Sequence, residues 1–223
     1  MEQKVSAARS EIVIPCGQIR LEGTLEFPQG LQGCVPAAVI CHPHPLYGGN
    51  MHNNVVNALT TAFLERGVAA LKFNFRGVGR SEGTHGDGVD EMNDVRAALD
   101  YLEAAPAVDP QKLIVAGYSF GCWVGLRAAH DDRRPARLIG VSPPLDMYDF
   151  SFLKQETRPK LFLVGDRDFV CSVSSFREFA EELNPPKMAS ILTGADHFHA
   201  GSEQAIVSQV HAFFHNYPFQ KTA

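Results

Sequence analysis

The stretch KLIVAGYSFGCWVGLRAAH, residues 112–130, places a serine between two glycines at the junction of two sequence patterns. Its first residues, KLIVA, form a short apolar run, typical of a strand that is covered on both faces. Its last residues have apolar side chains at helical spacing. The GxSxG motif at 117–121 therefore predicts a sharp strand-to-helix turn that exposes the hydroxyl of Ser119. An ordinary turn in which Ser119 caps the helix fits the motif as well.

The rest of the chain alternates apolar runs with segments of helical spacing, which is typical of an α/β fold. The other short runs occupy residues 36–42, 68–75, 136–142, 159–166 and 188–194, and helical spacing covers residues 53–66, 89–104, 120–130, 172–183 and 202–215. Continuous apolar runs predict a mostly parallel central sheet with helices on both faces. Residues 11–27 alternate as an antiparallel pair, which we expect at a sheet edge. We predict one domain over residues 1–223.

Composition and charge exclude several classes of protein. The net charge of −5 comes without a basic run, which argues against nucleic acid and anionic membranes as partners. No run of about 18 apolar residues is present, and the N-terminal residues lack the apolar stretch of a signal peptide. The five cysteines show no CxxC spacing and so fit neither a disulfide framework nor a thiolate zinc site. We expect a cytoplasmic monomer or homodimer.

Residues that could activate a serine follow two later strands. A serine hydroxyl is a poor nucleophile unless a base takes its proton, and that base needs a carboxylate to orient it. Asp166 and Asp168 follow one predicted strand, and His197 and His199 follow the next. The order Ser, Asp, His at successive strand ends predicts that one aspartate and one histidine meet Ser119. Either aspartate could instead cap the next helix.

A second histidine-rich segment, CHPHPLYGGN at residues 41–50, raises the alternative of a metal site. His42, His44 and His52, with the histidines near the C-terminus, could supply imidazoles to zinc or iron. No HExxH motif or carboxylate at ligand spacing accompanies them, so we expect no metal and no cofactor. The glycines of residues 74–83 do not match GxGxxG, which argues against a dinucleotide site. A metal-dependent hydrolase and a catalytically inactive binding protein of the same fold are the alternatives.

Three stretches together, at residues 42–56, 74–83 and 117–125, resemble the small lidless hydrolases of the α/β-hydrolase superfamily. The resemblance covers nearly the whole chain and implies a single-domain α/β-hydrolase. Its acid usually follows a strand-end glycine by three residues, which selects Asp168, and its histidine usually stands in a G-x-x-H-F setting, which selects His197. The resemblance thus implies a serine hydrolase of carboxylesterase type, in which these two residues and a serine cleave small esters or thioesters through an acyl-enzyme.

Such a reaction needs N–H donors for the oxyanion. One donor is expected from Phe120, which follows the serine, and another from the loop that begins at His42. In many relatives this loop begins His-Gly, whereas here a proline follows the histidine. Because both prolines of the loop lack an N–H, the candidates for the second donor are His44, Leu46 and Tyr47. By position, we expect His44 first and Leu46 second.

The segment between two predicted strands at residues 142–158 is too short for the inserted lid domain of lipase-like relatives. We therefore expect an open cleft that takes a small-molecule substrate, with a short-chain ester first and with thioester and peptide bonds as alternatives. The residues expected to bind the substrate are Tyr47, Pro143, Leu145 and Tyr148.

Overall fold

The computed structural model describes residues 9–30 and 33–219. Its first two strands, β1 (Arg9–Cys16) and β2 (Ile19–Glu26), pair antiparallel around a turn in which Gly17 has a left-handed φ of 58°. β1 is outermost in the sheet, which confirms the predicted edge position. The predicted domain includes residues 1–8, 31–32 and 220–223, which lie outside the described residues.

The described residues form one mostly parallel sheet of eight strands, as predicted. The other strands are β3 (Val35–Cys41), β4 (Ala69–Phe73), β5 (Val108–Tyr118), β6 (Pro135–Val141), β7 (Lys160–Gly165) and β8 (Lys187–Leu192). The helices are α1 (Asn54–Glu65), α2 (Glu91–Glu103), α3 (Phe120–Asp131), α4 (Val173–Glu182) and α5 (Glu203–Asn216). The strand order is β1-β2-β4-β3-β5-β6-β7-β8, and every pair from β4 to β8 is parallel.

The helices cover both faces of the sheet. α1 and α5 contribute to one buried apolar cluster, while α2, α3 and α4 contribute to the other. Neighbouring residues of a central strand alternate between the two clusters; on β3, for example, Val39 belongs to one and Ile40 to the other. Because both faces of the sheet are covered, its central strands are apolar along their whole length, which explains the continuous runs in the sequence.

The parallel strands end at a common edge, and the loops that follow them there carry the candidate residues. Residues 142–159, between β6 and β7, contain one short 3-10 turn, Ser151–Leu153, and no inserted domain, as expected for a lidless fold. Because no inserted domain follows β6 in residues 142–159, the carboxyl edge is open above the central strands.

None of the helices described for residues 9–30 and 33–219 has the length and apolar character needed to cross a membrane.

Candidate active site

Ser119 lies on a sharp turn between β5 and α3. Its φ of 53° is in the left-handed region, which a residue other than glycine seldom adopts. A Cβ on Gly117 would lie 2.2 Å from the carbonyl oxygen of Gly121, and a Cβ on Gly121 would lie 2.3 Å from the carbonyl oxygen of His42. Only glycine fits at these two positions, so the motif predicted from the sequence holds the serine hydroxyl at the start of α3.

The structure brings Ser119, His197 and Asp168 into one hydrogen-bonded series. The Ser119 Oγ lies 3.0 Å from Nε2 of His197. The Nδ1 of His197 lies 2.9 and 3.0 Å from the two carboxylate oxygens of Asp168. All three side chains are buried. The residues are 78 and 29 positions apart along the chain, so the sheet, and not local sequence, places them together.

The surroundings of Asp168 favour its ionised form. Burial opposes ionisation, but hydrogen bonds from His197 and Ser142 outweigh it and leave the pKa of Asp168 below its usual value. The N–H groups of Val170 and Cys171 also donate to its Oδ1, each at 2.9 Å. An ionised Asp168 can only accept, so His197 carries its proton on Nδ1 and presents Nε2 to Ser119 as an acceptor.

The neighbouring aspartate and histidine take other partners. Asp166 is exposed, and its Oδ1 accepts the N–H of Gly194 at 2.7 Å. The Nε2 of His199 lies 2.7 Å from the hydroxyl of Ser142. The strand order alone did not decide between the two aspartates or between the two histidines. The structure places Asp168 and His197 beside Ser119.

The loop after β3 forms a short 3-10 turn, Pro45–Tyr47, that uses several of its own N–H groups. The N–H of Leu46 donates to Nδ1 of His44 at 3.2 Å, and the N–H of Tyr47 donates to the carbonyl of His44 at 3.1 Å. Within the described residues, the N–H groups of His44 and Phe120 have no hydrogen-bond acceptor. Leu46, expected as the second choice of donor, is therefore occupied, and His44 and Phe120 are left with free N–H groups.

A cavity of about 490 Å³ opens at the carboxyl edge beside Ser119. Its walls are mostly apolar and aromatic, with Tyr47, Phe120, Tyr148, Phe169 and Phe198 among them, and polar groups come from residues that include His44, Asn53, Ser119 and His197. Within the described residues, no Asp, Glu, Lys or Arg side chain lines the cavity. The cavity suits an uncharged, largely apolar molecule.

Two of the four residues expected to bind substrate line this cavity and two do not. Tyr47 and Tyr148 are in its walls. Leu145 instead packs against the apolar core, and Pro143 is buried outside the cavity walls. The expectation missed Met147, Phe169 and Phe198, which line the cavity. Phe169 and Phe198 directly follow Asp168 and His197 in the chain, and that adjacency was the signal that could have identified them.

The ring nitrogens of His42 bond to the backbone. Its Nδ1 lies 2.6 Å from the carbonyl oxygen of Pro43, and its Nε2 accepts the N–H of Phe75 at 3.0 Å. Burial lowers the pKa of His42 to about 4, so the ring is neutral at pH 7. Among residues 9–30 and 33–219, no group of three or more His, Cys, Asp or Glu side chains is arranged to hold a metal ion.

The α/β-hydrolase superfamily is defined by a mostly parallel sheet with a serine on the turn from a central strand into a helix. A histidine and an acid follow later strands of that sheet, as they do here. Within that superfamily the chain belongs to the family described as serine aminopeptidase, S33, whose sequence profile matches residues 36–156. That match contains Ser119 and ends before Asp168 and His197.

Relatives of similar length support this assignment. The chain is 35% identical over 189 residues to protein RP471 of Rickettsia prowazekii, a match that covers 80% of this chain and 77% of the relative. It resembles a solved α/β serine hydrolase homologue from Coxiella burnetii with a TM-score of 0.82 and 32% identity, over 96% of this chain and all of the other. It also resembles a Xanthomonas campestris protein described as a serine hydrolase without lid, with a TM-score of 0.85 and 27% identity, over 99% and 100% of the two chains.

Proposed function

We propose that the protein is a serine hydrolase of carboxylesterase type that cleaves small, uncharged esters through an acyl-enzyme. Ser119 is the nucleophile, His197 the general base and acid, and Asp168 the residue that orients His197. The observation that carries the proposal is the hydrogen-bonded series from Ser119 Oγ through His197 to Asp168 beside an open apolar cavity. Nucleophile and base are already within hydrogen-bond distance, as activation of a hydroxyl requires.

In the first half of the reaction, Ser119 Oγ attacks the ester carbonyl carbon while Nε2 of His197 takes the hydroxyl proton. The negative charge of the tetrahedral intermediate develops on the former carbonyl oxygen. The free N–H groups of Phe120 and His44 are the proposed donors to this oxygen, and the positive end of α3 favours the same charge. His197 then gives its proton to the departing alkoxide, which leaves as the alcohol.

In the second half, a water molecule attacks the acyl-enzyme carbonyl while Nε2 of His197 takes one of its protons. Collapse of the second tetrahedral intermediate returns that proton to Ser119 Oγ and releases the carboxylic acid. Because no inserted domain covers the site in the described residues, water and substrate reach Ser119 directly from the cavity. The three side chains of Ser119, His197 and Asp168 thus suffice for a full turnover in this proposal, with no added cofactor.

The cavity favours a neutral acyl or alkyl group over a peptide with a free N-terminus. A serine aminopeptidase must hold the ammonium group of its substrate, and an uncompensated ammonium in an apolar cavity is costly. No carboxylate lines this cavity in the described residues, because Asp168 is turned toward His197 and buried behind it. Esters, and thioesters of similar shape, need no such charged partner. A short-chain ester is therefore the proposed substrate, with Tyr47 and Tyr148 among the residues that contact it.

We also propose that residues 1–223 form one hydrolase domain that acts as a monomer or homodimer in the cytoplasm on a small-molecule substrate. The five cysteines support a reducing compartment, because all of them are free thiols and four are buried. The net charge of −5, without a basic run in the sequence, argues against a nucleic-acid partner.

The proposal is tested with a panel of p-nitrophenyl esters, acyl thioesters and aminoacyl p-nitroanilides. Wild type and Ser119→Ala are assayed with and without a metal chelator, and both are treated with a fluorophosphonate probe. We expect wild type to hydrolyse the short-chain esters fastest and to be labelled by the probe. Ser119→Ala should lose both properties, and the chelator should have no effect.

Two results would overturn the proposal. Activity that survives Ser119→Ala and disappears with the chelator would assign the reaction to a bound metal. A wild-type protein that is folded, hydrolyses no member of the panel and is not labelled by the probe would be a binding protein on the hydrolase fold. Preferential cleavage of the aminoacyl p-nitroanilides would retain the serine mechanism and replace the ester substrate.

A further inference from the structure

Ser142 occupies the strand end between the two that carry Ser119 and Asp168. β6 pairs with β5 on one side and with β7 on the other, and Ser142 directly follows β6. Its N–H donates to the carbonyl of Leu163 on β7 at 2.7 Å. The carbonyl of the preceding residue, Val141, accepts the N–H of Ser119 at 2.9 Å. The Ser142 side chain is fully buried, and the proposed reaction does not use its hydroxyl.

His199 is a second buried group outside the proposed reaction. Its side chain is fully buried, and its Nε2 lies 2.7 Å from Ser142 Oγ. Its Nδ1 is also buried and has no hydrogen-bond partner among the described residues. The ring packs against Tyr118 at a centroid distance of 6.1 Å. Tyr118 in turn contacts the ring of His197 and donates its hydroxyl to the backbone carbonyl of His197 at 2.6 Å.

The protons of these groups can be assigned from what each atom can donate. An ionised carboxylate only accepts, and Ser142 lowers the pKa of Asp168, so the hydroxyl proton of Ser142 faces that carboxylate. Ser142 Oγ is then an acceptor toward His199, which places the His199 proton on Nε2. Burial lowers the pKa of His199 and keeps the ring in this neutral form. His199 therefore donates to Ser142, whose hydroxyl proton faces Asp168. Asp168 also accepts the Nδ1 proton of His197.

Backbone strain is concentrated on the same residues. Among the described residues, four that are not glycine have a left-handed φ, and three of them are Ser119 at 53°, Ser142 at 46° and His199 at 55°. A residue held in this region costs of order 1 kcal/mol or more, and persists where the surrounding contacts determine it. The hydrogen bond between Ser142 and His199 joins two of these strained positions.

We infer that Ser142 and His199 are positioning residues that hold Asp168 and the loop of His197 in register with Ser119. Their hydrogen bond joins the loop after β8 to the end of β6, and the Ser142 hydroxyl faces the carboxylate of Asp168. Neither side chain lines the cavity, so both act through Asp168 and His197 and not on the substrate. The inference rests on the proposed function, because the geometry that it protects is the one in which Ser119 reacts.

Three variants test the inference by turnover. Ser142→Ala removes the hydroxyl, His199→Phe removes the Nε2 donor, and His199→Gln keeps an N–H donor at about the same distance from the backbone. We expect the first two to lower kcat by about 10- to 100-fold, with KM within about two-fold, because loss of this buried bond lets Asp168 and His197 shift out of line with Ser119. His199→Gln should regain most of the kcat that His199→Phe loses. The exposed variant His52→Gln is the control and should match wild type.

Equal kcat values for His199→Phe and His199→Gln would overturn the inference, because the N–H donor would then be irrelevant. A change confined to KM would overturn it as well. Thermal unfolding of each variant shows whether it is folded at the assay temperature. A variant that is unfolded there is replaced by its Ser142→Gly or His199→Leu counterpart, and the same comparison applies.

A second measurement is independent of activity. In proton NMR the Nδ1 proton of His197 bonded to Asp168 should give a resonance far downfield. We expect Ser142→Ala and His199→Phe to shift or broaden it, and His199→Gln and His52→Gln to leave it in place. An unchanged resonance in His199→Phe would overturn the inference. The variants could show this NMR pattern while wild type neither hydrolyses the ester panel nor reacts with the fluorophosphonate. In that case the proposed function fails and the positioning role stands.

Discussion

Two loops of this molecule contain the spacing His-x-His, and they use it in opposite ways. The front loop, residues 41–50 after β3, contains His42 and His44, and the back loop, residues 193–202 after β8, contains His197 and His199. In the front loop, ring nitrogens bond to the backbone: His42 to Pro43 and Phe75, and His44 to Leu46. In the back loop, they bond to the side chains of Ser119, Asp168 and Ser142.

The spacing His-x-His alone does not show whether a loop is structural or reactive. A ring bonded to backbone groups holds a loop in shape, and burial that lowers its pKa keeps it neutral. A ring bonded between a hydroxyl and a carboxylate can accept a proton and be stabilised once it is charged. The partners of the ring nitrogens, and not the spacing of the histidines, separate a structural loop from a reactive one.

The largest contrast is expected in activity when one histidine of each loop is replaced by glutamine. We expect His197→Gln to lower kcat by about 10⁵- to 10⁶-fold, because it removes the proposed base for Ser119. His42→Gln should stay within about ten-fold of wild type, because its amide can replace both bonds of the ring to the backbone. The measurement is steady-state ester hydrolysis. Comparable losses of kcat in the two variants would contradict the different roles of the two loops.

The next contrast concerns the carboxylate that supports the back loop. Asp168→Asn should lower kcat by about 10⁴-fold, because an amide cannot stabilise the imidazolium and favours the wrong tautomer. Asp166→Asn should leave kcat nearly unchanged, because Asp166 is exposed and bonds to the N–H of Gly194. Kinetic assays of both variants under identical conditions decide the matter. The reverse ranking would assign the orienting role to Asp166.

A smaller contrast appears in stability against pH and belongs to the front loop. The pKa of His42 in the folded protein is about 4, below its ordinary value of 6.5. Between these values the unfolded chain binds the extra proton, so His42 adds stability above pH 6.5 that is lost as the pH falls toward 4. The loss should reach about 2 to 3 kcal/mol.

His42→Gln, which does not titrate, is the matched variant for this effect. Urea unfolding at several pH values between 7 and 4.5 gives the free energy of unfolding of both proteins. We expect wild type to lose more stability than His42→Gln across this window, since all other groups are shared. Parallel curves would contradict the assignment of a neutral, buried His42.

The smallest expected effect concerns the side chain of His44. Its Nδ1 accepts the N–H of Leu46, two residues ahead. His44→Ala removes this cap and should lower Tm by about 2 to 4 °C and kcat by about ten-fold or less, because the backbone N–H of His44 is retained. His44→Asn should restore both values, since Asn50 and Asn53 accept N–H groups two residues ahead in the same region. Failure of Asn to rescue would show that the imidazole has another use.

The sequence predicted the sheet well because its signals are local. The hairpin around Gly17 and the central strands follow from apolar patterning, which depends only on nearby residues and on burial of both faces. The meeting of Ser119, Asp168 and His197 followed from topology, since parallel strands end at one edge. The family resemblance was still needed to choose between Asp166 and Asp168, because both follow the same strand within three residues.

The walls of the cavity were harder to predict because they depend on backbone conformations that the sequence does not announce. Ser142 has a left-handed φ directly after β6, and in the loop that follows Leu145 packs against the core while Met147 lines the cavity. Nothing in the residue type Ser signals such a conformation. The choice among N–H donors in the front loop likewise depended on a bond between His44 and Leu46 that no pattern encodes.

Three glycines pack against the backbone of neighbouring segments and limit how this protein can be redesigned. A Cβ on Gly165 would lie 2.1 Å from the carbonyl oxygen of Ala195, just as one on Gly117 or Gly121 would meet backbone atoms. Randomising these three positions should yield mostly unfolded chains. Met147 and Phe169 are exposed side chains that line the cavity. A directed-evolution library restricted to these two positions should change substrate preference while most of its members still fold.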